Sequence, residues 1–212
     1  MERHVSLDLM EFVERNILPR YAAFDAAHDL THVSGVVKRS LDLGRRLGAD
    51  LNMAYVVAAY HDLGMEGPRA VHHLTGGRIL AADKRLLKWF SPEQINVMRM
   101  AVEDHRASSS HAPRNLYGKI VAEADRMLDV ESVFSRAILF SLSSRPEDTK
   151  EEHWESFRKH MVEKYGVDGY IRLWLPQSDN AEKLRRLRQI IEDSAVLPSR
   201  FEKLSESHTP TK

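Results

Sequence analysis

Four residues sit in surroundings that do not suit them. His61-Asp62 closes the most apolar stretch of the chain, directly after Val56 to Tyr60. Asp125 follows Val121 by one helical turn and precedes Leu128 by three residues, so on a helix it points along an apolar stripe. His32 stands beside Val33, with Val36 one turn on. An ionised carboxylate in such a setting is costly unless it is paired or bound to a metal, and aspartate is almost never fully buried otherwise. Three segments therefore each deliver a titratable group inward, and a shared cation is the economical explanation. Taken singly, each has a plainer alternative. A lone histidine on an apolar face serves as an ordinary core residue, and a lone aspartate as a helix cap or ion-pair partner. Neighbours on a helix do not face each other, but a long and a short side chain can still grip one ion at a helix end.

Taken together and in this order, the residues resemble the HD superfamily of metal-dependent phosphohydrolases. His28-Asp29-Leu30-Thr31-His32-Val33 is similar to that family's first motif, whose second histidine is a ligand. Ala59-Tyr60-His61-Asp62-Leu63-Gly64 is similar to its eponymous doublet, and Val121-Ala122-Glu123-Ala124-Asp125-Arg126 to its closing aspartate motif. The resemblance covers residues 25–130 and implies that His32, His61, Asp62 and Asp125 hold a divalent ion. Two imidazoles and two carboxylates suit Mn²⁺, Fe²⁺, Co²⁺, Ni²⁺ or Mg²⁺ and admit Zn²⁺. Such an ion lowers the pKa of its water toward neutrality and polarises a phosphoryl group. The implied activity is hydrolysis of a phosphomonoester or phosphodiester, by preference of a nucleotide, through a metal-activated water, with Asp62 at the centre. The resemblance also implies that His73 and His105 complete a second metal site or donate protons to substrate, while His72 is expected at the surface. A di-iron oxygenase of the HD type and a non-catalytic metal-binding signalling module remain open. The Gly-Tyr-Pro motif of the cyclic-dinucleotide branch is missing.

Further candidates flank these motifs. Glu66, just past the doublet, could accept the proton of the attacking water or be a solvated loop residue. Arg69 in the same loop could meet a phosphate, because guanidinium binds phosphate through two parallel hydrogen bonds. The stretch Glu103 to Arg114 is polar and turn-rich and carries Arg106, His111 and Arg114; a basic, hydroxyl-rich loop beside a metal site suits phosphate recognition. Lys119 is a further phosphate candidate. Each of these has ordinary solvation as its alternative. No Gly-rich phosphate loop, Ser/His/Asp order or dinucleotide fingerprint is present.

The elements that must position these groups are helices. Leu7 to Tyr21 carries an apolar stripe that Pro19 bends or ends. Thr31 to Leu47 and Leu51 to Leu63 follow; the second is apolar nearly all round and belongs in the middle of a bundle. Further helices are predicted at Arg69 to Leu87, Pro92 to His105, Tyr117 to Val130, Glu131 to Leu142, Trp154 to Tyr165 and Asn180 to Asp193. Gly76-Gly77 within this pattern predicts a close helix approach. The fold class is all-α, a helical bundle of the HD-domain type over 1–142, a helical extension over 143–204 packed on it, and a disordered tail over 205–212. The aromatic residues of the extension, Trp154, Phe157, Tyr165, Tyr170 and Trp174, are expected to pack it in place.

Composition closes off several classes. Over 212 residues there is no cysteine, which excludes disulfides and thiolate chemistry. Lys+Arg 31 balances Asp+Glu 31, so no uniform positive field favours stable nucleic-acid binding. No long apolar run is present, so no membrane span is expected and a cytoplasmic location is the default. The expected partner is a small phosphorylated substrate, and a homodimer is left open.

Overall fold

The computed structural model describes residues 4–25, 28–109 and 111–208, which contain ten α-helices, four short 3₁₀ turns and no strand. They form two compact units. The first runs to Arg126 and takes in Trp174–Ser178; the second comprises Met127–Leu173 and the chain from Asp179.

In the first unit, α1 (Leu7–Asn16) is followed by α2 (Leu30–Leu47), α3 (Leu51–Tyr60), α4 (His72–Ala82), α5 (Pro92–Glu103) and α6 (Leu116–Asp125). The starts are written in side chains. Asp29 accepts from His32 N–H, Asp50 from Asn52 and Met53 N–H, and Asn115 from Gly118 N–H, while Ser91 and Gln94 cap each other reciprocally. α2 ends on Gly48 at φ 64, a left-handed position that glycine takes without strain. α3 has every residue buried except Asn52, and α2, α5 and α6 pack against it. That central place is why its sequence has no polar face.

Several boundaries differ from the pattern prediction. α1 stops at Asn16, and Pro19 opens a separate 3₁₀ turn, Leu18–Ala23. The single helix predicted over 69–87 is three pieces: a 3₁₀ turn Arg69–Val71, α4, and a 3₁₀ turn Lys84–Lys88. The last break occurs at Asp83, whose carboxylate accepts from Arg85 N–H and starts the new turn. α6 ends at Asp125 rather than near Val130.

The second unit holds α7 (Val130–Ser144), α8 (Lys150–Tyr165), α9 (Asn180–Glu192) and α10 (Val196–His208). Phe134, Phe157, Trp154 and Phe201 stack edge to face and tilted at 5.2–6.1 Å between ring centres. This aromatic cluster moves the division of the chain from the predicted 142 to 126, because Val133, Phe134 and Ile138 of α7 share a core with α8 and α10. α8 starts earlier than predicted, on a Thr149/Glu152 capping box. α10 was not among the predicted helices, and residues 205–208, predicted disordered, form its last turn with Ser205 buried. Asp193 accepts from Ala195 and Val196 N–H at 2.9 Å to start it. Pro198 lies in the first turn, where a missing N–H costs nothing. Residues 209–212 of the predicted tail lie outside the described residues.

Candidate metal centre

The ends of five helices meet around Asp62. α3 gives way after Tyr60; His61 keeps helical dihedrals but Asp62 sits at φ −104, ψ 6, already outside the helix. This break lets two adjacent side chains converge where a continuous helix would splay them. His61 Nε2 and Asp62 Oδ2 are 3.1 Å apart. His32, on the first turn of α2, brings Nε2 to 3.3 Å from His61 Nε2 and 3.4 Å from Asp62 Oδ2. Asp125, the last residue of α6, places Oδ1 3.2 Å from His32 Nε2 and 4.0 Å from His61 Nε2.

A second trio lies on the other oxygen of the same carboxylate. His72, the first residue of α4, has Nε2 3.5 Å from Asp62 Oδ1, and His105, just past α5, has Nε2 3.4 Å from it. The two Nε2 atoms are 3.2 Å apart. His61 and His105 are fully buried, Asp62 and His32 nearly so, and Asp125 keeps a quarter of its side chain exposed.

The ring tautomers decide what this arrangement can hold. Nδ1 of His61, His72 and His105 each faces a backbone carbonyl, of Ala58 at 2.8 Å, Arg69 at 2.8 Å and Val102 at 2.6 Å. A carbonyl only accepts, so each Nδ1 carries hydrogen and each neutral ring turns an Nε2 lone pair toward Asp62. For His72 and His105, lone pairs facing each other at 3.2 Å repel unless a cation lies between them. Two ligands bound at about 2.1 Å and subtending a right or tetrahedral angle lie about 3.0–3.4 Å apart, close to the 3.1–3.5 Å found within the two trios. Imidazoles pinned through Nδ1 to a carbonyl are also the usual outer-shell arrangement of metal-binding histidines. The residues therefore fit two divalent ions sharing Asp62. His32 differs in that its Nδ1 is buried without a hydrogen-bond partner.

Electrostatics point the same way. Burial alone would raise the Asp62 carboxyl, but His61, His105 and His32 outweigh it and hold it well below the usual carboxylate range. Asp125 is lowered too, by His32 and His61 against its burial. Burial would lower His32, yet Asp125 and Asp62 raise it to about 9. Burial and the neighbouring His105 push His72 down to about 4, whereas Asp62 lifts His105 despite its burial.

Gly64 explains why His72 comes so close. A Cβ there would lie 1.8 Å from His72 O and 2.6 Å from Gly76 N, so α4 begins directly on the turn after the doublet. A Cβ on Gly76 would lie 3.1 Å from His61 O, and one on Gly77 2.7 Å from Glu103 Cγ.

The histidine expected at the surface is thus the one beside Asp62, and His73, expected in the second pair, is not in either trio. One residue further along α4 turns it away; it is half-buried, its Nδ1 has no partner, and burial, His105 and Arg106 lower its pKa. Glu66 is gripped through both oxygens by Arg20 at 2.7 Å, which leaves it poorly placed to collect a proton. Arg114 is spent on a buried partner: Nε and Nη2 bind Asp104 at 2.8–3.0 Å, and Nη2 also meets Glu103. Arg69 reaches Asp25 at 3.2 Å, and Arg106 donates Nη1 to Ala70 O at 2.9 Å, close to His72 in sequence. His111 is exposed, with Nδ1 on Ala112 O. Lys119 lies on the first turn of α6, outside both trios. Two residues before Asp125, buried Glu123 accepts from Trp174 N–H at 2.7 Å and Ser178 Oγ at 2.6 Å, which holds the segment Trp174–Ser178 in the first unit.

Comparison with protein families finds that the model of the HD domain matches residues 29–128. Among solved structures, a crystal structure of a predicted HD superfamily hydrolase from an uncultured Thermotogales bacterium is similar, with 22% identity, 72% of this chain and 82% of that chain covered, and a TM-score of 0.47. Comparison with curated proteins finds no match. No helix among the described residues is long and apolar enough to cross a membrane.

Proposed function

We propose that the protein is a phosphohydrolase that acts on a small phosphorylated substrate, a nucleotide by preference; the match of residues 29–128 to the model of the HD domain and the buried His/Asp cluster, which could hold divalent metal, support this reading. The observation that carries this reading is the single carboxylate of Asp62, each of whose oxygens faces its own pair of imidazole nitrogens. Bound divalent ions at these positions would polarise a phosphoryl oxygen and make a water available as a nucleophile near neutral pH.

The chain's own groups do the rest. His32, His61 and Asp125 would hold one ion, His72 and His105 the other, with Asp62 between them. The carbonyl-bound Nδ1 hydrogens keep the rings oriented before ligands arrive, so little reorganisation is needed on binding. Arg106, tied at one nitrogen to Ala70 O, still has Nε and Nη2 to offer an anionic oxygen, and Arg69 would join it by exchanging its exposed pair with Asp25. Glu66 and Arg114 are left out of this reading because their charges are already matched.

Elemental analysis of the purified protein, followed by phosphate release from a panel of nucleotides with Mn²⁺, Co²⁺, Ni²⁺ or Mg²⁺, tests the proposal. Activity that vanishes in Asp62→Asn while helicity persists supports it. Two firmly bound metals with no phosphate released from any substrate would end it. The second trio also favours one other reading, a di-iron oxygenase. Two irons per chain together with substrate-dependent dioxygen uptake would select that reading.

A further inference from the structure

The 3₁₀ turn Leu18–Ala23 lies upstream of the HD match, which begins at 29, yet it touches the metal-binding doublet directly. Tyr21 is fully buried, and its ring lies near Phe24 and His61 at 5.2 and 6.5 Å between centres. Its hydroxyl donates to Ala59 O at 2.9 Å and accepts from Asp62 N–H at 3.3 Å. Both partners are groups that a helix end leaves over. In a continued helix Asp62 N–H would donate to Ala58 O, but that carbonyl receives His61 Nδ1–H instead. One phenolic oxygen thus takes up the donor that His61 displaced and a carbonyl the helix no longer uses. On the outer side of the same turn, Arg20 holds both oxygens of Glu66 at 2.7 Å, so the turn grips the chain on each side of Leu63-Gly64-Met65.

We propose that Tyr21 is a positioning residue of the metal centre: its hydroxyl sets the peptide of Asp62 so that one carboxylate oxygen is presented to each imidazole pair. The need for such a device follows from the geometry. Asp62 is short, stands outside regular helix, and must satisfy two ligand sets at once, whereas metal–ligand distances tolerate only about 0.2 Å. Nothing else fixes the backbone N–H of Asp62 among the described hydrogen bonds. The inference rests on the reading of Asp62 as a shared ligand.

Tyr21→Phe keeps the ring and removes the oxygen. Tyr117→Phe is the control, because Tyr117 also accepts a backbone N–H, that of Asp50 at 3.2 Å, at the opposite end of α3. The readouts are Co²⁺ titration, the ligand-field spectrum of bound Co²⁺, and thermal melting. Both variants are expected to keep wild-type helicity and to lose similar, small amounts of melting temperature. Only Tyr21→Phe should bind Co²⁺ at least tenfold more weakly and change the spectrum. An unchanged affinity and spectrum in Tyr21→Phe overturns the inference, as does an equal loss in Tyr117→Phe. Should Tyr21→Phe fail to fold, Arg20→Gln decides, since it loosens the same turn from its exposed side; a several-fold weaker affinity supports positioning by the turn, and wild-type binding overturns it. Wild-type protein that takes up no Co²⁺ defeats the Asp62 reading itself, which is a different result from wild-type binding that survives loss of the hydroxyl.

Discussion

At the scale of single residues, the centre is an answer to a desolvation problem. Six titratable groups gather in one place, and burial with the neighbouring His105 holds His72 toward neutrality. Because His72 rather than His73 faces Asp62, His72→Ala is expected to reduce bound metal from two ions per chain to one, and His73→Ala to leave two, as elemental analysis would show. The proton on His32 has a consequence for binding. Its pKa of about 9 means that at neutral pH a metal ion must displace a proton from it. Deprotonation favours binding, so affinity rises with pH, at least about tenfold per unit from neutrality, and levels off above about pH 9. Titrations with Mn²⁺ between pH 6.5 and 9.5 would reveal the slope; a flat profile would contradict the ligand role of His32. His72 adds little in this range, since it is already neutral above about pH 4.

At the scale of elements, the proposed ligands come from helix ends, and backbone packing sets their separation. Gly64 is the tightest point: a Cβ there overlaps His72 O at 1.8 Å, and backbone cannot swing aside as a flexible side chain can. Gly64→Ala is therefore expected to push the start of α4 away. The expected cost is roughly 2 kcal/mol or more in stability, with the second ion lost before the first, measurable by denaturant melts beside metal stoichiometry. The helix starts were legible because their caps are local: Asp50, Ser91-Pro92 and Asn115 act within three residues of themselves. The interruption at Asp83 and the end of α6 at Asp125 were not, since the periodic apolar pattern runs on through both. Thr149-Lys150-Glu151-Glu152 is a capping-box signal present in the sequence, and it starts α8 at Lys150, ahead of the Trp154 where the apolar pattern begins.

At the scale of the whole molecule, the proposed metal ligands and the aromatic core belong to different compact units. Phe157 is buried among Phe134, Trp154 and Phe201 in the second unit, which contributes no residue to either trio. Phe157→Ala should cost about 3–5 kcal/mol while metal stoichiometry stays at the wild-type value, a combination that calorimetry and elemental analysis together would verify. The sequence by itself determined the class of fold, the buried middle helix and the identity of His32, His61, Asp62 and Asp125 as groups needing a common partner. Each of these follows from local periodicity and from the cost of burying charge, and both are properties of short stretches. Only the tertiary structure decided that His72 and not His73 meets Asp62, that Arg20 and Asp104 occupy Glu66 and Arg114, and that α7 joins the second unit. Those outcomes depend on rotations of about 100° between neighbouring helical residues and on pairings between segments 10 to 46 residues apart. Neither pairing lies within one helix, so helical periodicity does not report it.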